Sequence, residues 1–264
     1  MSRALRLVAG ATLALVVASL PTTFAQTTSR PAPDTYRQLR WRFIGPEGNR
    51  FATVAGVVGD PSIYYVGAAS GGVYKTTDGG VHWQSIFDDQ VVQSIGSLAV
   101  AWSDPNVVWA GTGEASIRSH VSLGQGIYKS VDAGKTWTLM GLEQTGRIGR
   151  IAIDPKDPNV VLACALGHAY GPQQERGVFR TTDGGKTWTR TLFTDENSGC
   201  SDVAMDLKNP RTVYAGMWTL EIHTWGRESG GPGSGLFKST DGGVTWTKLS
   251  GGRGLPTKTV GKTT

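Results

Sequence analysis

Short apolar runs separated by turn residues dominate this chain, and heptad-like stretches rich in Ala, Glu, Lys and Leu are nearly absent, so the pattern predicts strands instead of a helical bundle. Apolar runs at 63–68, 107–111, 160–166 and 212–217 each follow a turn built on proline, at Asp60-Pro61, Asp104-Pro105, Asp157-Pro158 and Asn209-Pro210. Another apolar strand precedes each turn. After each run comes glycine, an aliphatic, an aromatic and a cation, as in Gly72-Val73-Tyr74-Lys75 and Gly177-Val178-Phe179-Arg180, and then an octapeptide ending in tryptophan.

Those octapeptides establish the organisation. TTDGGVHW (76–83), SVDAGKTW (130–137), TTDGGKTW (181–188) and STDGGVTW (239–246) carry Asp78, Asp132, Asp183 and Asp241, spaced 54, 51 and 58 apart. With the strand before each octapeptide and the one beginning at its Trp, every unit holds four short antiparallel strands, and four strands at a period near 50 residues predict one β-propeller blade. The expected class is therefore all-β, with blades at about 40–93, 94–146, 147–197 and 198–250. Within the octapeptide, the carboxylate can accept backbone N–H groups just ahead of it, a Ser or Thr hydroxyl can join, and Gly supplies positive φ. Asp78, Gly80 and Trp83, Asp132, Gly134 and Trp137, Asp183, Gly185 and Trp188, and Asp241, Gly243 and Trp246 are read as structural. A calcium loop would want several oxygens where each turn brings one carboxylate.

The Ser/Thr-x-Asp-x-Gly-x-Thr-Trp motif resembles the Asp-box, or bacterial neuraminidase repeat, of sialidases, xyloglucan-degrading propeller hydrolases and the luminal propeller of sortilin-type receptors. Residues 72–80, 109–114 (WAGTGE) and 175–185 (ERGVFRTTDGG) look most like large exported bacterial proteins with sortilin-like propellers. The likeness runs from about residue 40 to the end. It implies a propeller fold, and it serves enzymes and binding proteins alike.

Composition agrees with a folded β protein: 39% hydrophobic residues, nine Trp and only 18% charged residues exclude a solvated, disordered chain. Residues 1–25 have a basic start at Arg3 and Arg6, an apolar stretch over 7–20 and small residues at Thr23 and Ala25, the pattern of a secretory signal. The stretch is too short to span a bilayer comfortably, and no cysteine follows it to carry a lipid. Residues 26–39 are expected to be a linker, and the product periplasmic or extracellular, with no membrane in the mature form. Losing Arg3 and Arg6 takes the formal charge from +5 to +3, too little to imply nucleic acid. Two cysteines, Cys164 and Cys200, do not make a disulfide framework, and two free, half-buried thiols are expected over a bond.

The order of the strands predicts that the loop between a blade's second and third strands shares an end with the connector into the next blade, opposite the Asp-boxes. The long loops there, 114–125, 168–176 and 219–234, carry the candidate ligand face: Glu114, Arg118 and His120, then His168 and Tyr170, then Trp218 and His223, with Arg50, Arg147 and Arg150 on inner strands. Glu175, Arg176, Glu221, Trp225, Arg227 and Glu228 lie in the same loops. Aligned inner strands set Arg150 beside Asp202, read as a structural ion pair.

Three functions compete on this evidence. The first is an interaction module binding protein, peptide or glycan. The second is a glycoside hydrolase, which needs two facing carboxylates, with Glu114, Glu175, Glu221 and Asp202 as candidates. A sialidase would draw on Arg50, Arg147 and Tyr170. The third is a chain without activity of its own, because residues 254–262 resemble the lead into a further blade and 40–44 a strand waiting to close a ring, as in the front part of a longer protein; an uncovered last blade would then invite self-association. The four histidines show no metal-ligand spacing, so no metal and no cofactor are expected. The tail at 256–263 lacks the first glycine of a phosphate loop, Pro232 interrupts the glycines near it, and no Ser-His-Asp spacing is interpretable.

Overall fold

Pairing is antiparallel throughout, and each unit of sequence forms one sheet. The computed structural model describes residues 45–46, 50–117, 122–249 and 261, all within one compact unit, Phe43–Thr264. The first sheet is β1 (Phe51–Val57), β2 (Asp60–Ala68), β3 (Val73–Thr76) and β4 (Gln84–Ser85), hydrogen-bonded in chain order. The second is β5 (Ile95–Val100), β6 (Val108–Thr112), β7 (Ile127–Ser130) and β8 (Thr138–Leu139). The third is β9 (Ile148–Ile153), β10 (Val161–Ala165), β11 (Gly177–Thr181) and β12 (Thr189–Leu192). The fourth runs β13 (Ser198–Met205), β14 (Val213–His223), β16 (Gly235–Ser239), β17 (Thr247–Leu249), with β15 (Gly226–Ser229) paired to β14. A 3-10 turn at Glu143–Thr145 is the one helical element among the described residues.

The first strands of successive sheets, β1, β5, β9 and β13, adjoin one another, so the sheets fan from a common inner edge as propeller blades do. Hydrophobic clusters fill the gaps between consecutive sheets. Tyr65 and Val73 meet Phe87, Ile95, Leu98 and Tyr128; Trp109 and Ile127 meet Ile148, Ile151 and Val161; and Leu162, Cys164 and Val178 meet Cys200, Val203, Met217 and Phe237. Strand alternation assigns the faces: Trp109 packs toward the third sheet, while its neighbours Val108 and Ala110 pack toward the first.

Two sequence expectations need correction. Cys164 and Cys200 form a disulfide joining β10 to β13, with both residues fully buried, in place of two half-exposed thiols. Their strands lie on facing sides of adjacent sheets, a proximity that depends on the fan and not on sequence separation. In the fourth unit the second strand continues past 217 to His223, and a two-residue turn, Thr224-Trp225, returns it as β15. The cause is local, since Leu220 is buried while Glu221 and His223 stay on the other side of the pleat. The stretches 1–39, 40–44 and 251–260, which hold the signal, linker, closing-strand and further-blade readings, lie outside the described residues, as do Arg118 and His120.

Candidate functional site

The Asp-boxes account for one end of the propeller. In each, the first hydroxyl donates to the aspartate, Thr76 to Asp78 at 2.8 Å and Ser130, Thr181 and Ser239 to Asp132, Asp183 and Asp241 at 2.7 Å. The second glycine's N–H donates to that same hydroxyl at 2.8–3.0 Å. Thr136, Thr187 and Thr245 donate to the other carboxylate oxygen, and in the first box His82 Nδ1 lies 2.6 Å from it instead. Hydrogen bonds from these side chains and from the backbone hold all four carboxyls below the usual range, Asp132 at about 2. Each box also donates one N–H to the turn between the first two strands, as from Gly184 to Asn159 O at 3.0 Å.

The boxes also join blade to blade. Trp137 Nε1 donates to Ile86 O, Trp188 Nε1 to Met140 O and Trp246 Nε1 to Thr191 Oγ1, each partner belonging to the outer edge of the preceding blade. In return, Lys75 donates to Ala133 O, Lys129 to Gly184 O and Arg180 to Gly242 O, at the fourth position of the following box. At Gly185, φ is +95° and a Cβ would stand 2.6 Å from Trp109, so glycine is required there for both conformation and space. These contacts tie each box both to its own blade and to its neighbours.

At the opposite end, the loops between second and third strands hydrogen-bond to the connectors entering the next inner strand, through Gly113 N to Ser94 O, Leu166 N to Arg147 O and Leu220 N to Asn197 O. The connector end predicted from strand order therefore exists. Two buried arginines hold it. Arg147 donates to Glu114 O and Gly167 O, and Arg176 donates to Asn197 O, Leu220 O, His168 O and Gly171 O. Burial pushes both guanidiniums down from the ordinary arginine value, opposed at Arg147 by Tyr170 and Glu114 and at Arg176 by Asp195 and Glu221. Beneath them Leu166, Trp218 and Leu220 form a small apolar cluster with Ile117.

This geometry divides the candidate residues. Arg147 and Trp218 are interior, the latter with its indole N–H on Ser229 Oγ at 2.9 Å. Glu114 is buried and held by two hydrogen bonds from Arg50, which raises the guanidinium's pKa. Arg150 pairs with Asp202 at 3.3 Å, as the alignment of inner strands predicts, beside a groove lined by Thr53, Gly96 and Gly149. His168 is partly buried, its backbone N–H bonded to Gln173 Oε1, and Glu175 is partly buried beside Arg176. Tyr170 is 60% exposed.

The β14–β15 ribbon adds groups that spacing did not bring together. Glu221 stands directly opposite Glu228, and His223 lies 3.8 Å from Glu221 and 3.6 Å from Glu228. Trp225, 85% exposed, stacks flat on His223 with centroids 4.9 Å apart. The polar–apolar alternation over 219–223 is the signal that would have shown the ribbon. Glu221, His223 and Glu228 each place one potential ligand atom within 4.8 Å of the others, a grouping that the spacing between histidines does not reveal.

Comparison with known proteins agrees with this architecture. The BNR/Asp-box repeat family model matches residues 179–190, the third box and its approach. A xyloglucanase of Paenibacillus sp is 24% identical over 218 residues, 75% of this chain and 20% of that protein, and a xyloglucanase of Hypocrea jecorina (strain QM6a) is 27% identical over 223 residues, 75% and 25%. Among solved structures, an ancestral GH74 enzyme superposes with a TM-score of 0.59 at 25% identity over 80% of this chain and 25% of its own, and the GH74 xyloglucanase from Xanthomonas campestris at 0.56 and 18% identity over 81% and 32%. The chain spans a fifth to a quarter of the length of the curated relatives it matches. The third box thus matches the Asp-box repeat, and the chain shares the bladed architecture of these propeller proteins.

Proposed function

We propose that the connector end of these blades binds a glycan chain of the β-glucan class. The observation that carries this reading is the pair of solvent-facing rings there, Tyr170 and Trp225, set among histidine, glutamate and arginine side chains. Exposed aromatic rings beside fixed polar groups mark binding surfaces, and the flat faces of sugar rings and their hydroxyls suit such a pairing. Likeness to xyloglucanases over three quarters of the chain supplies the sugar class. The reading includes export, supported by the signal pattern of residues 1–25 and by the Cys164–Cys200 bond, which suits an oxidising compartment. Among the described residues no helix is long and apolar enough to cross a membrane.

Hydrolysis of the bound chain is the second reading, favoured by the same relatives. The carboxylates weigh against placing the reaction on these blades alone. Glu114 and Asp202 are engaged by arginines, and Glu221 and Glu228, with oxygens within 4.8 Å, are closer than the roughly 5–9.5 Å of glycosidase pairs. Calorimetry with xyloglucan and cello-oligosaccharides tests the binding reading: Trp225→Ala and Tyr170→Ala are each expected to weaken binding about tenfold. Absence of binding at millimolar sugar, or affinity unchanged in both variants, would refute it. Release of reducing ends by the unaltered chain, lost in Asp202→Asn, would favour hydrolysis instead.

A further inference from the structure

The structure assigns a divalent transition-metal site, best matched to Zn²⁺, to Glu221, His223 and Glu228 on the β14–β15 ribbon. This goes beyond the glycan reading and does not depend on it. Pleat and register put the three on one face: Glu221 and His223 are two apart on β14, and Glu228 is the cross-strand partner of Glu221. One ligand atom from each lies within 4.8 Å of the others. His223 Nδ1 lies 3.8 Å from Glu221 Oε1 and its Nε2 lies 3.6 Å from Glu228 Oε1. Whichever nitrogen binds therefore stands close to one carboxylate, at about the roughly 3.4 Å edge of a tetrahedron with metal–ligand bonds of about 2.0–2.1 Å, and a small turn of the ring or of one carboxylate completes the set.

Charge argues in the same direction. Two glutamates directly opposite each other on a ribbon repel, and such a pair is unfavourable without a cation between them. Arg176 is the cation that interacts with Glu221 from the interior side, but its guanidinium hydrogen bonds all go to backbone carbonyls. A dication held by both carboxylates and a neutral imidazole would balance the charge, and the imidazole selects a transition metal over Ca²⁺ or Mg²⁺. Two neighbours shape the site further. Trp225 lies flat on His223 at an interplanar angle of 6°, fixing the ring with its edge toward the carboxylates. Gly226, paired with His223 across the ribbon, leaves open space where a side chain would stand, so a fourth position stays free for water or a ligand oxygen.

Titration of chelator-treated, untagged protein with ZnCl₂ by calorimetry tests the assignment, with CaCl₂ as the comparison ion. One equivalent of zinc is expected to bind at micromolar concentration, at least a hundredfold more tightly than calcium. His223→Gln and Glu228→Gln should each weaken it at least tenfold, with circular dichroism unchanged because both positions lie on an external ribbon. His82→Asn, at the other imidazole–carboxylate contact, should leave it unaltered. Co²⁺ should give a visible absorption band that disappears in His223→Gln. No zinc binding below about 100 µM, binding that survives both ribbon substitutions, or binding lost with His82→Asn would overturn the assignment and leave His223 as an ion-pair bridge between two glutamates.

Discussion

Replacing both cysteines, Cys164→Ala with Cys200→Ala, should destabilise the contact between third and fourth blades more than any single surface change. The bond spans 36 residues, and closing a loop of that length in the unfolded chain is worth about 3.8 kcal/mol by chain entropy. Both sulfurs are fully buried in the cluster with Leu162, Val203 and Met217, so their removal adds about 1–2 kcal/mol of lost packing. The sum, about 5 kcal/mol, corresponds to roughly 10–20 °C of melting temperature for a domain of this size. Guanidinium denaturation followed by circular dichroism gives the midpoint, and hydrogen exchange in β13 and β16 localises the loss, which matters because repeat arrays need not unfold in one step. Reductant should leave the native protein unchanged until denaturant opens the cluster. A double variant within 1 kcal/mol of the parent, or free thiols titrating in the native protein, would refute the reasoning.

Three other outcomes follow from the boxes. Trp188→Phe, which strands Met140 O, should cost about 1 kcal/mol, and Trp188→Ala, which also removes the edge-to-face contact with Trp109, about 3 kcal/mol, both read from denaturation midpoints. Ala133 holds a left-handed φ of 59° where the other boxes have glycine, so Ala133→Gly should leave stability unchanged or raise it by up to about 1 kcal/mol; a loss would show that the methyl packs usefully. Asp132 titrates at about 2 when folded against about 4 unfolded, so its contribution is complete above pH 4 and is lost as pH falls toward 2. Denaturation midpoints at pH 5, 3.5 and 2.5 should fall steadily, less so in Asp132→Asn, and a flat profile would contradict this.

Much of the fold was legible because the box writes its own geometry: Asp183, Gly185 and Trp188 name a turn, a close approach and an anchor within six residues. Strand order then located the connector end, and equal slots on inner strands located Arg150 beside Asp202. What spacing could not show was which buried faces of neighbouring blades pack together. Cys164 and Cys200 meet only because β10 and β13 face each other across a gap whose angle no local pattern encodes. Arg147 and Arg176 read as ligand-facing or loop residues because guanidiniums are usually exposed, yet buried loop carbonyls need donors, and these two supply them. Glu228 sat in a segment read as a loop until register paired it with Glu221, and the tight turn of the same ribbon stacked Trp225 on His223.

The reciprocal links between blades, indole backward and cation forward, have a consequence for biogenesis. Trp188 has nowhere to dock until the strand ending near Met140 is in place, and Lys129 gains its carbonyl only once Gly184 has turned. A polypeptide emerging amino-terminus first can therefore secure every newly made segment against its finished predecessor, so the sequence of synthesis doubles as the sequence of assembly.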